Sequence, residues 1–157
     1  MPDHIPVLLQ ESLEYLIINP DGVYIDATFG RGGHSCAILD KLSDKGKLIS
    51  IDKDLTAIDV AKKLKNDIKY KNKFEFFHGS FADLDICLES FGIKELDGIL
   101  FDFGVSSPQL DNAERGFSFS KDGPLDMRMD TRVEVISASE WLKKVNHTDL
   151  SNVLYKY

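Results

Sequence analysis

Apolar positions along the chain follow two alternating patterns. Short runs that are almost wholly apolar are separated by longer stretches in which apolar residues recur every three or four positions. Short apolar runs are typical of buried strands, and the longer spacing is typical of helices packed on one side. We predict strands at 23–26, 47–52, 74–77 and 98–103. We predict helices at 7–18, 36–42, 55–64, 84–91, 137–145 and 148–157, the last with Thr148 as its N-cap.

This alternation predicts an α/β fold with a parallel, doubly wound sheet and right-handed crossovers. The fourth run is nearly all apolar, which is expected for a strand covered on both faces. From Gly104 to about Arg132 the pattern gives way to a segment rich in Gly, Ser, Pro and Asp. Loops of this length in compact domains are usually functional or disordered, and we expect a function here.

Composition and charge narrow the class of protein. With 43% hydrophobic and 29% charged residues, the chain has the composition of one soluble domain. Its net charge of −7 disfavours a protein that coats nucleic acid, although an enzyme that meets RNA at one small site remains compatible with it. Two cysteines without a C-x-x-C pattern, and no apolar run near the length of a membrane span, predict a cytoplasmic protein. The histidines lack metal-ligand spacing, so no metal site is expected.

The arginines are not spread evenly. All four lie in the loop-like segments 29–35 and 104–132, whereas the lysines are distributed along the chain. Because arginine favours bidentate contacts with phosphate, Arg115, Arg128 and Arg132 are candidate RNA-binding residues. Acidic residues share their segment, so internal salt bridges are the alternative.

Two features predict a nucleotide site at the carboxyl ends of the first strands. The turn after the first strand contains Gly30, Gly32 and Gly33, which allow a ligand to approach the backbone. Asp52 ends the second strand 22 residues after Gly30, close to the spacing of a carboxylate that binds ribose hydroxyls. Phe81, after the third strand, is expected either to pack on an adenine ring or to join the core.

The fourth strand adds Asp102, which is expected to face the ligand crevice. A carboxylate in an apolar run should also have a partner, because burying it alone is costly. The following Ser106, Ser107 and Gln109 offer hydroxyl and amide groups but no strong general base. These groups suit recognition of a polar substrate group better than nucleophilic hydrolysis.

Several motifs resemble those of the bacterial small-subunit (16S) ribosomal RNA cytosine-N(4) methyltransferases of the MraW/RsmH type. They occupy residues 4–11, 26–35, 51–54, 78–81, 102–111, 114–119 and 122–130. The resemblance implies a Rossmann-like class I fold and S-adenosylmethionine as cofactor. It places the cofactor contacts on Gly32, Gly33, His34, Asp52, Phe81, Asp102 and Gln109.

The resemblance also implies the reaction, which is methylation of the exocyclic N(4) amine of a cytidine in small-subunit ribosomal RNA. Asp102, Ser106 and Ser107 are the candidate catalytic residues, although this segment lacks the aromatic residue that ends the Asp-Pro-Pro-Tyr motif of many amino-methyltransferases. Two other functions stay open at this point. One is a nicotinamide-dependent oxidoreductase, and the other is a folded, non-catalytic remnant.

Members of this family are about twice as long as the chain. The resemblance therefore implies a cofactor-binding core at 1–132, the start of a helical substrate-recognition insertion at 133–157, and a sheet without its C-terminal strands. Without them the fourth strand lies at an open edge, and we expect either the following segments or a second copy of the chain to cover it, as a homodimer.

Overall fold

Four parallel strands form one sheet in the order β3-β2-β1-β4. The structure is a computed structural model that describes residues 6–132 and 135–157. The strands are β1 (Val23–Asp26), β2 (Lys47–Asp52), β3 (Phe74–His78) and β4 (Gly98–Leu100). Ile25 in β1 lies opposite Ile49 in β2 and Ile99 in β4. The predicted parallel sheet is confirmed.

Helices connect and cover these strands. They are α1 (Leu9–Leu16), α2 (Gly33–Lys41), α3 (Leu55–Asn66), α4 (Leu84–Ser90), α5 (Ser107–Asp111), α6 (Ala138–Lys144) and α7 (His147–Lys156). The sequence pattern did not indicate α5. The prediction of Thr148 as the last N-cap is wrong, because the Asn146 side chain accepts a hydrogen bond from the Asp149 N–H at 2.9 Å. Asparagine is a strong N-cap, and α7 therefore begins at His147.

The two faces of the sheet carry separate apolar clusters. Tyr24, Leu48 and Phe74 pack with residues of α1, α2 and α3 on one face. Ile25 and Ile49 belong to a cluster with residues of α4 on the other face. This distribution follows from the alternation of side chains along each strand, and it confirms that the sheet is doubly wound.

β4 is shorter than predicted. The apolar run continues to Phe103, but the strand ends at Leu100, opposite the last residue of β1, Asp26. Beyond that point β1 gives way to the glycine-rich turn and offers no partner for a ladder. Phe101 and Phe103 are consequently exposed instead of lying within the sheet.

The chain divides into two compact units, Met1–Phe103 and Gly104–Tyr157. The first contains the sheet and both apolar clusters, and the second contains α5, α6 and α7. The predicted domain boundary after residue 132 stays a prediction, because residues 133 and 134 lie outside the described part of the chain. The first two residues of the motif at 4–11 also lie outside it. No helix in the described residues is long and apolar enough to cross a membrane.

Candidate functional site

The glycine-rich turn joins β1 to α2 with two residues in the left-handed region. Gly30 has φ +53° and Gly32, which caps α2, has φ +76°. A Cβ added at Gly32 would lie 2.9 Å from the ring of Phe29, which is buried in the core. Gly33 has no positive φ, and there an added Cβ would lie 2.5 Å from Cγ of Pro6. The turn is therefore anchored by packing, and its backbone leads directly into the N-terminus of α2.

Asp52 at the end of β2 holds this turn in place. Its Oδ2 accepts a hydrogen bond from the Gly30 N–H at 2.7 Å, and its Oδ1 accepts one from the Asp54 N–H at 2.8 Å. A carboxylate has about four lone-pair sites, so both oxygens can also accept from ligand hydroxyls. Asp54 caps α3 instead, as its side chain accepts from the Thr56 N–H at 2.9 Å.

A buried hydrogen-bond network lies beneath the turn. Oδ2 of Asp26 accepts from the Ser35 hydroxyl at 2.6 Å, and the Ser35 and Ser50 oxygens are 2.7 Å apart. All three side chains are fully buried. Burial raises the pKa of Asp26, while hydrogen bonds from Ser35 and the Thr28 N–H oppose the increase.

Sequence reasoning missed Asp26 as part of the site. The signal was available, because Asp26 is a carboxylate at the end of an apolar strand, the same pattern that singled out Asp102. Its partner Ser35 lies in α2, nine residues further along the chain, and only the fold brings the two together.

Asp102 lies just beyond β4 and contacts two other elements. Its N–H donates a hydrogen bond to Oγ1 of Thr28 at 2.8 Å, and its Oδ2 lies 3.7 Å from Nδ1 of His34. The side chain is 54% exposed, so the expected partner exists but the expected burial does not. His34, in the first turn of α2, is buried, and its Nε2 has no hydrogen-bond partner among the described residues.

These groups meet at the switch point of the sheet. β1 has β2 on one side and β4 on the other, and the connections to these neighbours run over opposite faces. In open α/β sheets, ligands bind outside the carboxyl ends of the strands at such a point. The structure brings the glycine-rich turn, Asp52, His34 and Asp102 together there, and their role in a nucleotide site stays a prediction.

Phe81 does not join the core. Its ring contacts Phe101 and Phe103, with centroid distances of 6.0 and 5.4 Å, and it is 39% exposed. The core-packing alternative for Phe81 is therefore wrong. Contact with an adenine ring stays a prediction.

The other candidate residues belong to the second unit. Ser106 precedes α5 and Ser107 begins it. Gln109 is buried, and its Oε1 accepts a hydrogen bond from the Ser106 N–H at 2.8 Å. The Gln109 side chain therefore stabilises the start of α5.

The three arginines of the second unit make internal contacts. Arg128 pairs with Asp126 at 2.7 Å, and Arg132 pairs with Asp130 at 3.1 Å. Arg115 donates to the carbonyl oxygens of Arg128 and Met129, each at 3.2 Å. The Arg128 and Arg132 pairs have the geometry of the salt-bridge alternative, and the proposed contacts of all three arginines with RNA stay a prediction.

The fold matches known methyltransferase structures. A crystal structure described as that of an rRNA methylase from Clostridium thermocellum aligns with a TM-score of 0.55 at 17% identity, covering 66% of this chain and 54% of that one. The C-terminal domain of precorrin-6Y C5,15-methyltransferase from Rhodobacter capsulatus aligns with a TM-score of 0.50 at 15% identity. This alignment covers 66% of the present chain and 52% of that domain. The fold is thus the Rossmann-like fold of class I methyltransferases.

Sequence comparison identifies the family within that class. The model of the MraW methylase family matches residues 1–157, and the chain belongs to this family. It is 52% identical over its full length to ribosomal RNA small subunit methyltransferase H of Caldicellulosiruptor bescii, covering 50% of that protein. It is 50% identical over 98% of its length to the protein of the same name from Nitrosomonas europaea, and it covers 47% of that protein. The chain spans about half the length of these curated relatives.

The switch-point residues fit S-adenosylmethionine, the cofactor of this family. Asp52 offers a carboxylate for the ribose hydroxyls, and the glycines at 30 and 32, both left-handed, have no side chain to cover the backbone of the turn at these two positions. His34 offers a buried nitrogen, and Asp102 places a second negative charge at the same edge of the sheet. A cation with hydroxyl groups matches this set of groups.

Proposed function

We propose that this chain provides the S-adenosylmethionine-binding part of a methyltransferase that acts on the exocyclic N(4) amine of a cytidine in small-subunit ribosomal RNA. The observation that carries the proposal is the meeting of the glycine-rich turn, Asp52 and the His34–Asp102 pair at the switch point of a chain that matches the family along its whole length. A ribosomal substrate implies a cytoplasmic enzyme.

The candidate cofactor residues, Asp102 among them, divide the contacts with the cofactor between them. Asp52 accepts hydrogen bonds from the ribose hydroxyls, and the backbone of Gly32 and Gly33 lies against the cofactor. His34 contributes its buried nitrogen. Phe81 packs on the adenine ring, and Gln109 makes a further polar contact.

The chain positions the amine for methylation. S-adenosylmethionine supplies an electrophilic methyl group when it is bound. Asp102 accepts a hydrogen bond from the exocyclic amine, and Ser106 and Ser107 provide further polar contacts to the base. Fixing the direction of approach is the main catalytic contribution, because a well-oriented reactant avoids most of the entropic cost of the encounter. The target base must first leave its stack, at a cost of a few kcal/mol.

A few residues make the contacts with the RNA backbone, because a chain with a net charge of −7 has few basic groups to spare for phosphates. Arg115, Arg128 and Arg132 are the proposed phosphate contacts. Arg128 and Arg132 would keep their aspartate partners or exchange them for phosphate, and an exchange makes RNA binding strongly dependent on salt.

The proposal includes a homodimer. β4 lies at the edge of the sheet formed by the described strands, and a second copy of the chain could pair with it. Light scattering over a range of concentrations is expected to show a dimer. A monomer at every concentration contradicts this part of the proposal.

Calorimetric titration with S-adenosylhomocysteine tests the cofactor site. We expect one site per chain, and Asp52→Ala should weaken the affinity by about 1–3 kcal/mol, because the ribose hydroxyls lose a charged acceptor. Asp59→Ala, which removes an exposed carboxylate from α3, is the matched control and should bind normally.

Two experiments separate the alternative functions. In the calorimetric titration, binding of NADH without binding of S-adenosylhomocysteine supports the oxidoreductase and contradicts our proposal. In a methylation assay, methyl transfer by the chain to small-subunit particles rules out the non-catalytic remnant. Cofactor binding without methyl transfer supports the remnant.

A further inference from the structure

The segment after β4 is held by a side chain at the point where the sheet ends. Beside the last residue of β4, the Ala27 N–H donates a hydrogen bond to the carbonyl oxygen of Leu100 at 2.9 Å. A longer parallel ladder would next offer a backbone carbonyl to the Asp102 N–H. The chain has already left β1 for the glycine-rich turn, and the Asp102 N–H donates to Oγ1 of Thr28 at 2.8 Å instead. One hydroxyl group therefore takes the place of the ladder at Asp102.

Thr28 is itself fixed by the buried network beneath the turn. Its N–H donates a hydrogen bond to Oδ1 of Asp26 at 3.1 Å, and Oδ2 of Asp26 accepts from the Ser35 hydroxyl at 2.6 Å. Asp26 and Ser35 are fully buried, whereas Thr28 is only partly buried. A buried polar network whose members have their partners rigidifies the groups that it joins. Thr28 therefore presents its hydroxyl to Asp102 from a fixed position.

The side chain of Asp102 lies against the same part of the chain. Its Oδ2 is 3.7 Å from Nδ1 of His34, which lies in the first turn of α2. Thr28 and His34 belong to one continuous segment, which consists of the glycine-rich turn and the start of α2. This segment also carries the proposed backbone contacts with the cofactor. A movement of Asp102 away from it would therefore change where the negative charge lies relative to the cofactor.

We propose that Thr28 is a positioning residue, which holds Asp102 at the cofactor site by accepting the hydrogen bond from the Asp102 N–H. This inference rests on the proposed function, in which Asp102 is a cofactor contact, and it adds a residue that acts through Asp102. Because 54% of the Asp102 side chain is exposed, packing restrains it little and the hydrogen bond becomes important.

Two substitutions separate the hydrogen bond from the shape of the side chain. Thr28→Val keeps the shape and removes the hydroxyl, whereas Thr28→Ser keeps the hydroxyl. Thr28→Val should accelerate amide exchange at Asp102 and weaken the calorimetric affinity for S-adenosylhomocysteine, each about fivefold, as expected for one neutral hydrogen bond. Thr28→Ser should stay within about twofold of the original chain in both measurements. Amide exchange in β1 and β2 should be unchanged in both variants, which shows that the sheet is intact.

Thr148→Val is the matched control, because it removes an exposed threonine hydroxyl from α7. It should change neither the exchange at Asp102 nor the affinity. The double variant then shows whether Thr28 acts through Asp102. In the Asp102→Ala background, Thr28→Val should weaken the affinity by less than about twofold, because the carboxylate that Thr28 places is gone.

Several results would overturn the positioning role of Thr28. They are unchanged exchange at Asp102 or unchanged affinity in Thr28→Val, equal losses in Thr28→Val and Thr28→Ser, and a full loss from Thr28→Val in the Asp102→Ala background. Failure of the original chain to bind S-adenosylhomocysteine would contradict the proposed function instead. The exchange rates at Asp102 would in that case still test whether Thr28 holds this residue in place.

Discussion

The two units of the chain are held together by different forces. Among the described residues, every buried apolar side chain lies in Met1–Phe103. In Gly104–Tyr157 the only buried side chains described are those of Gln109 and Asp130, both polar. The first unit is therefore stabilised mainly by the hydrophobic effect, and the second has no comparable core in the part that the structure describes.

Hydrogen bonds and ion pairs take the place of a core in the second unit. Arg128 and Arg132 pair with acidic residues two positions earlier, and Arg115 binds two backbone carbonyls. Capping side chains start α6 and α7. Partly exposed polar contacts contribute little each and are screened by salt, so the stability of this unit should depend on salt more than that of the first. The first unit carries the proposed cofactor residues other than Gln109, and the second unit carries Gln109 and the proposed RNA contacts.

The largest expected effect is the loss of a core side chain. Ile49 is fully buried between β1 and β3, and Ile49→Ala should lower the free energy of unfolding by about 2–5 kcal/mol. Leu142→Ala, at a half-exposed position in α6, should change it by less than about 1 kcal/mol. Urea denaturation followed by circular dichroism measures both. Equal losses would contradict the difference between the units.

The buried network beneath the glycine-rich turn comes next. Ser35→Ala removes the hydroxyl that donates to Asp26 at 2.6 Å and leaves a buried carboxylate short of a donor. We expect the free energy of unfolding, measured by urea denaturation, to fall by about 1–3 kcal/mol. Ser43→Ala, which removes an exposed serine hydroxyl bonded to Asp21, is the control and should cost less than about 1 kcal/mol.

The pH dependence of stability should reveal Asp26 itself. Because burial raises its pKa in the folded state, the folded protein binds this proton more tightly than the unfolded chain does. Asp26 therefore contributes fully to the free energy of unfolding below its pKa in the unfolded chain, which is about 4. This contribution is lost as the pH rises through the raised pKa of the folded state. Denaturation of the chain and of Asp26→Asn over that range measures the difference. Parallel pH profiles would show that Asp26 does not titrate in this way.

The smallest effect is expected in the second unit. The hydrogen bond from Arg128 lowers the pKa of Asp126. This pair therefore stabilises the folded protein above about pH 4, and that stabilisation is lost as the pH falls through the lowered pKa. Asp126→Asn should cost about 0.5–1 kcal/mol, since the pair is partly exposed. Amide exchange should accelerate at Ala138 and Ser139, whose N–H groups donate to the carbonyl oxygens of Asp126 and Leu125, and stay unchanged in β1 and β2. Faster exchange in the strands would mean that the pair supports the core.

Local patterns predicted most of the first unit. β2 was predicted with its observed bounds, because its run of apolar residues depends on neighbouring residues alone. β4 was predicted too long, since its end is determined by where β1 stops. The contacts of Ser35 with Ser50, and of Phe81 with Phe101 and Phe103, were missed, because they join segments that only the fold brings together.

The sequence singled out the arginines of the second unit but not their partners. Arg128 and Arg132 each lie two residues after an aspartate. A guanidinium can pair equally well with the carboxylate of this neighbour or with a phosphate. The choice between them depends on three-dimensional contacts. Sequence reasoning therefore identified these arginines as candidates and left both alternatives open.

The central claim is that the strand ends at the switch point bind S-adenosylmethionine, and chemical shifts test it most directly. Amide resonances of the chain are followed by ¹⁵N NMR during titration with S-adenosylhomocysteine. We predict the largest changes at residues 30–34, Asp52 and Asp102, with small changes in α6 and α7. No changes at saturating ligand, or changes confined to α6 and α7, would contradict the account.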